Sequence, residues 1–156
     1  MAGNLAPGAP ARARARGRRG GTASAAVVVL AASVLTACTS PGAQFDQALG
    51  QGYAAVQTAR LAVALELEGR TFPTVSTTAL EDARRELVDA STSVSETDAT
   101  TPSDAALRTD VLEALALGVD AVNEALDATA GIGTLDAAEP ALDEAADAID
   151  ALGGGG

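Results

Sequence analysis

The chain has no histidine, no lysine and no tryptophan, and one cysteine among its 156 residues. Without histidine there is no Ser-His-Asp or Cys-His nucleophile and no Glu-x-x-His motif of the di-iron bundles. Without lysine there is no Schiff base. A single cysteine has no partner in the chain, so no internal disulfide holds the fold, even in an oxidising compartment. Aromatic residues make up only 2% of the chain, and any core must therefore rest on aliphatic packing. No Walker A loop, dinucleotide-binding glycine fingerprint or calcium-loop spacing occurs. Gly131-Ile132-Gly133 reads as a helix stop rather than a phosphate cradle. No run alternates with period two, so no strand is expected.

What the chain does have begins with an arginine-rich head: Arg12, Arg14, Arg16, Arg18 and Arg19. An apolar run follows, from Ala25 through Val27, Val28, Val29 and Leu30 to Leu35. It ends at Thr36-Ala37, directly before the lone Cys38. A basic segment, a short apolar segment and small residues before a cut form a secretory signal peptide. Ala23 to Ala37 spans 15 residues, short of the roughly 20 that a membrane-crossing helix needs. Arg18-Arg19 is followed by Gly20-Gly21-Thr22 rather than by apolar residues. General secretion, not twin-arginine export, is the expected route.

Leu35-Thr36-Ala37-Cys38 resembles the lipobox of bacterial lipoproteins: a leucyl or branched residue, two small residues, then cysteine. The resemblance implies cleavage between Ala37 and Cys38. It also implies thioether linkage of Cys38 to diacylglycerol, with or without an additional N-acyl chain, and no other cofactor. The implied address is the outer face of the cytoplasmic membrane, held by lipid. The rest of the chain resembles small helical lipoproteins of high-GC Gram-positive bacteria in composition and pattern.

Removing residues 1–37 leaves 119 residues, enough for one domain with its own core. All 21 acids lie in that part, against Arg60, Arg70, Arg84, Arg85 and Arg108, a formal charge of −16. A body this acidic repels nucleic acid and anionic lipid and favours cations or basic partners. Residues 38–43 form a tether, its last five residues reaching about 17 Å at full stretch.

Four segments then carry a helical period. In residues 44–68 the apolar positions are Phe45, Leu49, Gly52, Val56, Ala59, Val63 and Leu67, with Gly69 placed as a C-terminal cap. Gly50 and Gly52 weaken this helix but permit close approach of a neighbour. Residues 78–95 start at a capping-box pattern, Thr78 with Glu81. Their seam is Leu80, Ala83, Leu87, Ala90 and Val94. Residues 102–130 open with Thr101-Pro102-Ser103-Asp104, an N-cap followed by proline and an acid in the first turn. Leu107, Val111, Leu115, Val119, Val122 and Leu126 continue that helix. Residues 137–152 carry Ala138, Leu142, Ala145, Ile149 and Leu152, and Pro140 is expected in the first turn. Residues 153–156 form a glycine tail.

Short connections between four amphipathic helices predict an all-α, up-down-up-down four-helix bundle behind a cleaved signal peptide. The rival is a three-helix bundle with the fourth segment loose. Phe72, ahead of Pro73, is expected to plug one end of the bundle. Tyr53 should pack with its hydroxyl reaching water.

One constellation suggests binding. Asp136, Glu139, Asp143, Asp147 and Asp150 recur at steps of three and four on the last helix, with Glu144 beside the row and no basic residue expected to compensate it. Such a face offers oxygen ligands to calcium or contacts to a basic partner, although charge runs of this kind are commonly solvated faces. Paired carboxylates for glycoside chemistry need an apolar wall, for which only Phe45, Tyr53 and Phe72 are available. The expected function is thus a non-enzymatic, membrane-tethered accessory or scaffold that contacts another protein of the cell envelope. The alternative is a binding module for cations, cationic peptides or a small apolar ligand.

Overall fold

The computed structural model describes residues 40–154. The signal peptide, the Leu35–Cys38 motif with its proposed lipidation and cleavage, and the last two glycines lie outside these residues. Four α-helices make up the described chain: α1 (Pro41–Leu67), α2 (Pro73–Glu96), α3 (Pro102–Thr129) and α4 (Leu135–Gly153). Each packs on the next, and α4 returns to α1, so the fourth segment is integral to an up-down-up-down bundle. The described residues form a compact unit with a core of their own.

Three of the helices begin with proline at the first helical position, where the missing N–H is no loss and φ is already helical. This preference moves two predicted starts. Helix α1 opens at Pro41 rather than residue 44, with the Ser40 hydroxyl accepting from the Ala43 N–H. Residues 41–43, expected in the tether, are therefore the first turn of α1. Helix α2 opens at Pro73 rather than 78, and the expected Thr78–Glu81 cap does not form. Thr78 instead lies inside the helix and donates to the Thr74 carbonyl. The capping box does form at Thr101, where Thr101 and Asp104 exchange hydrogen bonds of 3.0 and 3.1 Å. Helix α4 starts at Leu135 behind the Thr134 cap, so Pro140 sits in the second turn, not the first. It withholds one hydrogen bond from the Asp136 carbonyl, a local cost the surrounding packing sustains.

At the far end of α1, Gly69 adopts φ +67°. Its N–H bonds the Glu66 carbonyl while the Arg70 N–H bonds that of Leu65, a Schellman closure that glycine permits without strain. The same pair of bonds closes α3 at Gly131 and Ile132.

Half of the 24 buried hydrophobic residues are alanine, so the helices approach closely. Of the two diagonals only one is closed: α1 meets α3, whereas the backbones of α2 and α4 do not come together. Two buried glycines make that diagonal possible. A Cβ on Gly52 would run into Leu115 and come within 3.6 Å of Leu87 and Ile149. Gly52 is thus the point where side chains from the other three helices converge. On the facing helix, a Cβ on Gly118 would sit 3.0 Å from Leu87 Cδ2 and 3.3 Å from Val56 Cγ2. Gly50, by contrast, is exposed with open space around it. Gly50→Ala is therefore expected to stabilise the bundle by about 1 kcal/mol through helix propensity. Gly52→Ala gains the same propensity but overpacks a filled layer at a cost of about 1–3 kcal/mol, and should be neutral to destabilising. Urea unfolding of the two variants side by side measures the contrast.

Candidate interaction surface

The five acids singled out on the last helix do share one face of α4, and all five are exposed. They are not without a counter-charge. Arg60 reaches across from α1 to Asp143, with Nη2 2.6 Å from Oδ1. The two residues stand 83 positions apart, which is why no sequence pattern signals the pair. Both ends are part-exposed, so the contact is worth little in stability, yet it neutralises the middle of the row. Among the described residues, no three acids come together in a way that could hold a metal ion. The five carboxylates face solvent. Millimolar calcium is expected to leave the melting temperature unchanged, and a rise of several degrees in calorimetry would reverse that expectation.

None of the 21 acids is buried, and only Glu66 and Asp104 are even half-buried. Asp104 has a carboxyl pKa below its ordinary value because the Thr101 and Thr100 side chains donate to the charged form. Its contribution to the α3 cap is therefore complete at neutral pH and is lost as pH falls through that lowered value. Phe45, one of three aromatic candidates for a site wall, is wholly buried in the core. Tyr53 is exposed.

The two ends of the bundle differ in character. Next to Pro41, the turn between α2 and α3 is fastened by polar contacts. The buried Thr97 hydroxyl lies 2.7 Å from Gln44 Oε1 on α1 and 2.8 Å from the Ser93 carbonyl. Arg108 on α3 donates to the Thr97 carbonyl at 3.4 Å. The opposite end, where Arg70 pairs with Glu68, carries several exposed apolar side chains. Phe72 is 77% exposed, Ile132 68%, Leu61 60% and Val75 56%. Phe72 is therefore not the buried plug expected of it. As N-cap of α2 it has an extended backbone (φ −92°, ψ 144°) and projects from the turn.

Leu61 and Val75 also flank an apolar groove of about 130 Å³ between α1 and α2, floored by Ala62 and Ala79. A second cleft of about 250 Å³ lies between the same two helices, has Thr58 in common with the first and is lined also by Asp82 and Glu86. Sequence reasoning missed this surface. Its signal was two large aliphatic residues off the seam, Leu61 and Val75, beside alanines and threonines that give no hydrophobic emphasis.

No protein-family model matches the chain, and neither a curated protein nor a solved structure is similar enough to count as a match.

Proposed function

We propose that this is a lipid-anchored, non-enzymatic accessory protein of the cell envelope that works by contacting another protein. The observation that carries the reading is the position of Cys38. It closes the only lipobox-like motif in the chain and precedes the first helical residue by three positions. Diacylglycerol on that cysteine would hold α1 close to the bilayer at its Pro41 end. The helix has 27 residues, about 40 Å at 1.5 Å per residue. Its exposed apolar end then lies well away from the anchoring point.

Support against the alternatives comes from the same surfaces. A pocket for a drug-sized ligand measures about 300–1,000 Å³ with mostly apolar walls; the cleft beside Leu61 and Val75 holds about 130 Å³, and the wider one of about 540 Å³ on α2 and α3 is lined by Glu81, Arg84 and Arg85. The acidic row carries one ion pair and no cation-sized cluster. Exposed apolar side chains grouped at one end are what a protein contact requires.

Chemical cross-linking of the lipidated protein in its native membranes, followed by mass spectrometry, tests the reading. One recurrent partner in near-equal amount supports an accessory subunit. Folded, lipidated protein that yields no recurrent partner overturns it.

A further inference from the structure

Resting on that reading, we propose that the α1–α2 groove is the docking site for a basic amphipathic helix of the partner. Taken together, the two clefts that make up this groove line α1 from Gln51 to Leu65, 14 residue steps or about 21 Å. That is the length of roughly four helical turns. Its floor is built from small side chains, Ala55 and Ala62 on α1 with Ala79 and Ala83 on α2. A third helix can come close to such a floor and set anchors at i, i+3, i+4 and i+7 along it.

The lining changes character along its length, and this selects the occupant. Toward the α1–α2 turn the walls are Leu61 and Val75, both more than half exposed. Toward the middle of the bundle the lining charges are Asp82 and Glu86, and no arginine lines either groove. Asp82 is engaged only by Arg85, one turn along its own helix, in an exposed pair that a competing cation can displace. The occupant is therefore apolar at one end and positively charged at the other. A second copy of this chain fits poorly. The part after residue 37 carries −16, and bringing two such bodies together is opposed by their net charge.

The chain from Thr39 onward carries the entire core and provides the test, with circular dichroism verifying cooperative melting of every variant. The probe is an 18-residue helical peptide with leucines at i, i+3, i+4 and i+7 and lysines at one end. A second peptide replaces each lysine with glutamate. Fluorescence anisotropy should show binding of the lysine peptide alone, with amide shift changes confined to α1 and α2. Leu61→Asp with Val75→Asp should weaken binding at least tenfold, and Asp82→Lys with Glu86→Lys several-fold. Asp147→Asn with Asp150→Asn on α4 should leave it unchanged.

Equal binding of both peptides, no binding, or sensitivity to the α4 variant alone would each overturn the proposal. So would sedimentation showing self-association through Leu61 and Val75. A recurrent partner in native membranes whose cross-links avoid this groove would sink the docking site while leaving the accessory reading intact.

Discussion

Replacing Leu87 with alanine is expected to lower the melting temperature by about 15 °C. Leu87 belongs to α2 but fills the space between α1 and α3. Its Cδ2 is the nearest atom to a Cβ placed on Gly118 and is also near one placed on Gly52. It is fully buried. Core Leu→Ala changes cost about 2–5 kcal/mol, the higher values arising where the surroundings cannot collapse into the cavity. Here two of the surrounding positions are glycines, with no side chains to move inward. The loss should fall in the upper half of that range.

The same geometry predicts a rescue. In the native protein a methyl group at residue 118 meets Leu87 at 3.0 Å and Val56 at 3.3 Å, so Gly118→Ala must displace a neighbour. In the Leu87→Ala background the closer obstacle is gone, the methyl enters the cavity, and α3 gains about 1 kcal/mol of helix propensity. A double-mutant cycle by urea denaturation should return a favourable coupling of about 1 kcal/mol or more. Additive effects would mean that Leu87 does not occupy the space between the glycines.

These two glycines show how far the sequence could be read. Every seam residue assigned to the second helix is buried, because Leu80, Leu87 and Val94 advertise their face by size. On the third helix the same reasoning drew the seam off centre. Leu107, Val119 and Leu126 are only half-buried, whereas Ala114, Gly118, Ala121 and Ala125 lie fully inside. Hydrophobic periodicity weights large residues, but the diagonal contact between α1 and α3 is built around small ones, Gly52 and Gly118. Leu67, counted with the first seam, is exposed as the last residue of α1.

Caps were misread for a different reason. Thr78 with Glu81 and Thr101 with Asp104 look equivalent as patterns. Proline decides between them: Pro73 starts α2 five residues before Thr78, while Pro102 directly follows Thr101 and leaves that cap in place. The interaction surface was the least legible part. The Arg60–Asp143 pair and the α1–α2 groove both join residues from different helices, and a linear pattern carries no record of such neighbours.

Cys38→Ala is the second large effect, and mass spectrometry of the whole protein reads it directly. Two acyl chains contribute about 0.8 kcal/mol per buried methylene, and two chains anchor stably where one does not. The wild-type protein is therefore expected as a chain beginning at Cys38 with a diacylglycerol adduct, recovered wholly with membranes. The variant lacks the thiol that accepts the lipid. It should accumulate as the full 156-residue precursor without the adduct. Two other outcomes have distinct masses. An ordinary secretory signal would give a chain cut at the same place in both proteins and carrying no lipid in either. An uncleaved anchor would leave both proteins at precursor mass. The outcome also bears on the groove. With only Thr39 and Ser40 between the cysteine and α1, lipid on Cys38 fixes the bundle by its Pro41 end. The apolar walls at Leu61 and Val75 are then held some 30 Å along α1 from the anchor, at 1.5 Å per residue, within reach of a neighbour's extramembrane segment.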